Sequence, residues 1–280
     1  MQKRLPEYLK RPIIDTEKTK NVRRILKKNS LNTVCENARC PNKNECYTCN
    51  TATFLIMGNV CTRNCRYCNI SCKKPEPLDV NEPLHIASAV KDLGLKYTVI
   101  TSVTRDDLPD GGAGHFANCI YEIRKISPEV KIEILTPDFK GDREALDKII
   151  IAHPQVFNHN IETVKRLFKT ARPQGNYDCS IDVLKYVKNN SSIITKSGLM
   201  VGLGETFEEI EETLKDLKSA GVDILTIGQY IQPSKAHLEV EKYYTPDEFK
   251  ELDKLALKTG FNHRQIGPLV RSSYRAAELV

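Results

Sequence analysis

Eight of the ten cysteines in this chain fall between residues 35 and 72, and three of them, Cys61, Cys65 and Cys68, stand in the run C-T-R-N-C-R-Y-C. The spacing is C-x3-C-x2-C, and the apolar segment T-F-L-I-M leads straight into it. Three thiolates are one short of a closed tetrahedral set. A zinc or iron–sulfur site built only for structure takes four protein ligands. A 4Fe–4S cluster on three cysteines keeps one iron open, and an open iron can bind something that reacts. A second trio lies just upstream, Cys35, Cys40 and Cys46 in C-E-N-A-R-C-P-N-K-N-E-C, with C-x4-C-x5-C spacing. Two trios so close together are far more specific than either alone.

Another partition of the same cysteines is open. Cys46-x2-Cys49, followed after fifteen residues by Cys65-x2-Cys68, fits a zinc-ribbon pattern. It leaves Cys35, Cys40 and Cys61 without a role, and it does not account for the long ordered-looking remainder of the chain. A disulfide framework is disfavoured, because the chain is long and begins without a secretory leader.

The C-x3-C-x-aromatic-C run, with Tyr67 before its last cysteine, resembles the radical S-adenosylmethionine (SAM) enzymes. With the second trio the chain resembles the lipoyl synthase family, which also carries a C-terminal R-S-S-Y, here Arg271 to Tyr274. The resemblance extends to T-S-V-T-R-D-D-L-P-D-G-G-A from Thr101, F-N-H-N-I-E-T from Phe157 and K-S-G-L-M-V-G-L-G-E from Lys196. It implies that Cys61, Cys65 and Cys68 ligate a cluster whose open iron binds SAM. It also implies that Cys35, Cys40 and Cys46 ligate an auxiliary 4Fe–4S cluster. The fourth auxiliary ligand would be a serine, Ser273, with Ser272 as the alternative. Serine oxygen holds iron weakly beside thiolate, which suits a cluster that is consumed.

Composition sets bounds. At 280 residues with 40% hydrophobic and 28% charged residues, the chain reads as one large soluble domain with appendages. No apolar run reaches the roughly eighteen residues of a membrane span. The basic N-terminus contains acids and lacks an apolar segment, so a cytoplasmic location is expected. The net charge of +6 is uneven, since residues 1–28 carry +7 and the rest −1. That arm reads as a solvated basic helix or as a docking surface for an acidic partner. Nucleic-acid binding is not expected, because no basic patch with interleaved aromatics follows.

After the cysteines, apolar runs alternate with helical patterns. Strands are expected at Thr53–Met57, Tyr97–Val103, Ile132–Thr136, Val156–Ile161, Leu199–Leu203 and Ile224–Gln229. Helices are expected after Asn81 (Ile86, Val90 and Leu93), after Asp142 (Leu146, Ile149 and Ile150), after Thr206 with Glu209 closing a capping box, and from Thr245-Pro246. Alternation of this kind means parallel strands with helical crossovers. Periodicity alone allows a doubly wound sheet, whereas the resemblance implies an α/β fold with a partial (β/α)6 barrel. Residues 1–50 then form an N-terminal extension, 51–260 the barrel, and 261–280 a C-terminal extension. The active site belongs at the C-terminal strand ends.

The remaining residues carry less. Many radical SAM enzymes place G-G-E after the second strand, where this chain has T-S-V-T-R-D-D; Thr101 and Asp106 would there accept hydrogen bonds from the SAM ammonium. Asn160 and Glu162 would face the ribose, or cap a strand end. His159 reads as structural, Arg172 as a carboxylate or phosphate contact or a surface charge, and Gly198, Gly202 and Gly204 as points of close backbone approach or tight turns. Cys119 reads as a core thiol. Where the family usually shows a proline, two residues past His237, this chain has Glu239.

The function that the resemblance implies is insertion of two sulfurs at C6 and C8 of an octanoyl chain. That chain would be borne on a lysine of a lipoyl domain or a glycine-cleavage H protein. Two SAM would be used, with an electron donor such as ferredoxin or flavodoxin. The alternatives are another two-cluster radical SAM enzyme, such as a methylthiotransferase or a peptide maturase, and a non-catalytic zinc or iron–sulfur module.

Overall fold

The computed structural model describes residues 4–12, 16–49 and 51–280. Parts of the expected N-terminal arm, at 1–3, 13–15 and 50, lie outside the described residues. The chain divides into two compact units, one of Arg11–Arg63 and Asn69–Phe157, the other of Met1–Lys10, Asn64–Cys68 and Asn158–Val280.

In the first unit α1 spans Glu17–Lys28, followed by the short β1 (Asn32–Thr33), α2 (Val34–Asn37) and α3 (Lys43–Thr48). Thr16 caps α1, and Val22, Ile25 and Leu26 form its buried side. Strand β2 (Thr53–Ile56) comes next, then a two-residue pair, β3 (Val60–Cys61) and β4 (Ser71–Cys72). The unit continues with α4 (Glu82–Asp92), β5 (Tyr97–Ser102), α5 (Ala113–Ile126), β6 (Lys131–Leu135), α6 (Arg143–Ala152) and β7 (Val156–Asn158), whose last residue belongs to the other unit. Strand β1 runs antiparallel to β2, and β2, β5 and β6 are parallel neighbours. The helices cover the sheet with the expected residues. Ile86 and Val90 of α4, and Leu146 and Ile149 of α6, are fully buried, while Ile150 is only half-buried.

The second unit contains α7 (Lys165–Ala171), α8 (Tyr177–Asn190), β8 (Ile194–Val201), α9 (Phe207–Ser219), β9 (Ile224–Gln229), α10 (Pro246–Lys258) and β10 (His263–Gly267). Strands β8, β9 and β10 are parallel. Thr206 and Glu209 form the capping box of α9, and Thr245 and Glu248 that of α10. Ile210, Leu214 and Leu217 of α9 are fully buried. On α10, Phe249, Leu252 and Ala256 are buried, while Leu255 is half-buried.

The six expected strands are all present, as β2 and β5 to β9, and they make the α/β fold a partial (β/α)6 barrel. Two placements differ from the sequence reading. Strand β8 starts five residues before Leu199, at a stretch whose Thr195, Lys196 and Ser197 are fully buried. Burial there is polar, so apolar patterning missed it. Strand β10 lies within the expected C-terminal extension, and its H-R-Q-I-G carries one apolar side chain. The expected fourth strand keeps only three residues, but a bridge from Glu162 to Leu199 continues its direction.

Thr206→Ala should destabilise the chain by about 1 kcal/mol through the lost cap. Leu214→Ala should cost about 2–5 kcal/mol through the cavity it leaves. Denaturant unfolding measures both, and equal small losses would contradict the packing described for α9.

Candidate cluster and cofactor site

Cys35 and Cys46 of the upstream trio lie on the two short helices before β2, α2 and α3, and Cys40 lies in the segment between them. Thr33 caps α2 by accepting the Glu36 N–H at 3.3 Å, and its hydroxyl lies 3.1 Å from the Tyr47 hydroxyl. The Cys35 carbonyl accepts the Cys40 N–H at 3.2 Å, and the Cys46 carbonyl accepts the Cys49 and Thr51 N–H groups at 3.0 and 2.9 Å. The three thiols feel one another. Burial first, and then Cys40, push the Cys35 thiol up to about 12, while a backbone hydrogen bond from Thr53 opposes this. Burial, then Cys35 and Cys40, push Cys46 to about 12 as well. Protons held on closely set thiols by desolvation and mutual repulsion are what a bound cation displaces, so this donor set fits a metal cluster. Among the described residues no three His, Cys, Asp or Glu groups could hold a single metal ion. Ligands of a four-iron cluster bind separate irons and need not converge on one point.

The second motif follows β2. The Cys61 sulfur accepts the Thr104 N–H at 3.3 Å and the Arg63 N–H at 3.4 Å. In β3 it lies opposite Cys72 of β4, which is exposed. Hydrogen bonds of this kind tune the charge of a ligating thiolate. Thr101, on β5, donates its hydroxyl to the Leu135 carbonyl at 2.8 Å. Asp106, expected to meet a ligand ammonium, has both carboxylate oxygens on Arg63 at 2.7 and 2.9 Å.

In the other unit, Cys65 and Cys68 close a turn of their own, with Cys68 N–H on the Cys65 carbonyl at 3.0 Å. Flanking loops hold it. Ala171 O accepts the Arg66 N–H at 2.9 Å, Arg66 O accepts the Leu238 N–H at 3.0 Å, and a ring nitrogen of His237 lies 3.0 Å from the Cys68 carbonyl. In the sequence His237 is only a landmark before Glu239, and its distance from Cys68 conceals this contact. Tyr67 packs against the cluster of Leu203, Tyr230 and Val240.

Around Glu162 the structure gathers residues quoted separately from the sequence. Glu162 sits at φ +71°, a conformation costly for a non-glycine residue. Its carboxyl is raised chiefly by desolvation, against the lowering influence of Arg172, Asn160, Tyr67 and Arg271. Asn160 donates to Glu162 at 3.2 Å, and Arg172 donates to the Asn160 carbonyl at 3.2 Å while stacking over Phe168 at 5.1 Å. Desolvation, then Glu162 and Cys65, push the Tyr67 phenol well up. The buried Asn160 Oδ1 has no hydrogen-bond partner, while the space a Cβ on Gly198 would take is already held by the Thr226 hydroxyl, 2.3 Å away. An orphan acceptor beside a carboxylate offers lone pairs to a ligand bearing hydroxyl donors, so these residues fit a ribose. His159 is buried, with its N–H on Lys196 O.

The R-S-S-Y segment follows β10. Pro268 O accepts the Gln229 N–H at 3.3 Å, and the Tyr274 N–H reaches Arg271 O at 2.9 Å, a turn that holds Ser272 and Ser273 half-buried. A Cβ on Gly228 would stand 2.1 Å from the Val270 carbonyl, so only glycine lets this segment lie on the end of β9. Gly202 and Gly204 both turn at positive φ, and Glu205 accepts the Gly202 and Leu203 N–H groups at 2.6 and 2.9 Å.

The model of the Radical SAM superfamily matches residues 55–217. A lipoyl synthase of Caldanaerobacter subterraneus is 52% identical over 99% of this chain and 97% of its own length. One from Rubrobacter xylanophilus is 53% identical over 98% of this chain and 85% of its own. Among solved structures, methylornithine synthase (PylB) aligns with a TM-score of 0.58 at 15% identity, covering 86% of this chain and 73% of that one. SuiB of Streptococcus suis bound to S-adenosylmethionine aligns with 0.58 at 13% identity, covering 78% and 51%. At such identities these two structures speak for the fold alone.

Gly228→Ala should lift residues 268–274 off the end of β9. Amide exchange in that segment should then quicken while α9 stays protected, and unchanged exchange would contradict the close approach.

Proposed function

Because the chain belongs to the lipoyl synthase family of the radical SAM superfamily, we propose that it inserts two sulfurs, at C6 and C8, into an octanoyl chain held in amide linkage to a lysine. The carrier is a lipoyl domain or a glycine-cleavage H protein. Cys61, Cys65 and Cys68 hold the SAM-binding 4Fe–4S cluster, and Cys35, Cys40, Cys46 and Ser273 hold the auxiliary one. When bound, the first supplies the electron that cleaves SAM to a 5′-deoxyadenosyl radical, and the second supplies sulfur.

The observation that carries this reading is the gathering around Glu162. It joins Tyr67 of the cysteine motif, the strand-end Asn160 and Glu162, Arg172, and Arg271 of R-S-S-Y. A motif that presents thiolates and a motif that offers the serine thus meet at one desolvated carboxyl. Glu162 and Asn160 orient the SAM ribose through its hydroxyls. Thr101 and Asp106 serve the SAM ammonium with the lone pairs left over from their bonds to Leu135 and Arg63. The Tyr67, Leu203, Tyr230 and Val240 cluster keeps water from the radical.

An electron donor of the ferredoxin or flavodoxin kind feeds the first cluster, and the reaction takes place in a reducing cytoplasm. Among the described residues no helix is long and apolar enough to cross a membrane.

An octanoyl-lysine peptide, incubated without oxygen with the reconstituted protein, SAM and a strong reductant, should gain two sulfurs with release of 5′-deoxyadenosine. Cys35→Ala should still cleave SAM and leave the peptide unsulfurated. Sulfur insertion by that variant would refute the division of labour. If 5′-deoxyadenosine forms beside an unchanged peptide in the parent protein, the substrate assignment fails.

A further inference from the structure

Arg63 lies inside the first cysteine motif, and nothing above gives its side chain a part in the chemistry. Its side chain is 3% exposed and donates to two carboxylates. Nε and Nη2 reach Asp106 at 2.7 and 2.9 Å, and Nη1 and Nη2 reach Asp138 at 2.7 and 2.7 Å. Two bidentate forks on one planar guanidinium are a geometry that lysine cannot copy. Asp106 follows β5 and Asp138 follows β6, so the side chain ties the loop after β3 to the segments that follow β5 and β6. Asp138 is itself fixed, being 3% exposed and accepting the Lys140 N–H at 2.9 Å. Lys140 Nζ lies 3.7 Å from Asp106, so two cations face two anions.

The main chain of the same residue has a different job. Its N–H points at the Cys61 sulfur at 3.4 Å, and the Thr104 N–H points there at 3.3 Å. Thr62 ties down the intervening residue: its N–H and hydroxyl both reach Thr104 O at 3.0 Å, and its oxygen accepts the Asp106 N–H at 3.0 Å. Residues 61–63 and 104–106 are therefore stitched together atom by atom, by bonds that belong to no helix or strand ladder.

We propose that Arg63 is a positioning residue for the first cluster. Its two forks fix the N–H that the Cys61 sulfur accepts, and so set where that thiolate stands and how strongly it donates to iron. Outer-shell groups that orient a ligand in this way govern metal affinity and cluster electronics. The inference rests on Cys61 being a cluster ligand, as argued above.

Arg63→Lys keeps the charge and loses both forks. In the full chain carrying both clusters it should weaken SAM binding roughly ten-fold and alter the electron paramagnetic resonance spectrum of the reduced Cys61 cluster. The auxiliary-cluster spectrum should stay as in the parent, which a merely structural loss would not allow. In the iron-free chain, amide exchange across residues 59–66 should quicken while β6 and α6 stay protected. Asp138→Asn weakens the fork on Asp138 and leaves the one on Asp106; it should move the same readouts in the same direction by less, and it stands in if the lysine variant does not fold. Unchanged exchange, spectrum and SAM affinity in the variant that folds would overturn the proposal. A parent chain that assembles no cluster at Cys61 would instead sink the reading on which it rests, and exchange in the iron-free chain still judges the clamp.

Discussion

Thiols crowded into a small, partly desolvated volume resist ionisation, and the structure is organised around that resistance. Cys35 and Cys46 both show it, with burial as the larger cause and their neighbours as the smaller one. Ionising such a set is costly until a cation takes the place of the protons. The polypeptide must therefore hold the sulfurs in place beforehand without help from long helices or strands. It does so with short capped turns for the first trio and with strand-end loops for the second. In those loops several main-chain bonds run to residues distant in sequence, as from Thr62 to Thr104, Arg66 to Ala171 and Leu238 to Arg66.

Charge is handled in the same way. The Arg63, Asp106 and Asp138 group has little access to water, and its cost is offset only because every oxygen is paired. Removing the arginine would leave unpaired carboxylates at a penalty of about 3–5 kcal/mol. Glu162 is the less complete case. Desolvation raises its carboxyl even though Arg172 and Arg271 oppose the shift. The balance leaves acceptor capacity at Glu162 and at the orphan Asn160 Oδ1. Those unfilled acceptors are what the proposed ribose hydroxyls would take up.

What could be read from the sequence follows from what each signal measures. Period and caps report apolar burial and helix ends, so α9, α10 and β9 were legible; β9 matches its expected bounds. The start of β8 was not, because Thr195, Lys196 and Ser197 are buried polar residues and alternation carries no trace of them. Strand β10 was hidden for the related reason that a half-buried, polar edge strand resembles a loop. The cysteine trios stand out in the sequence because their spacing is a local signal. Their supports do not: Asp106 reads as a ligand contact, and only the fold shows it on Arg63, because a side-chain pair separated by forty-three residues leaves no periodic signal. Asn160, Glu162 and Arg172 were visible one by one, whereas their meeting with Tyr67 and Arg271 is a property of the fold.

The central claim is that the two trios hold different clusters, only one of which meets SAM. The direct measurement is Mössbauer spectroscopy, with and without SAM, on two triple variants. One replaces Cys35, Cys40 and Cys46 with alanine, and the other replaces Cys61, Cys65 and Cys68. The account predicts that each variant keeps about four irons, and that SAM changes the spectrum of the first variant alone. A SAM-dependent change in the second variant, or loss of all iron from either, would contradict it.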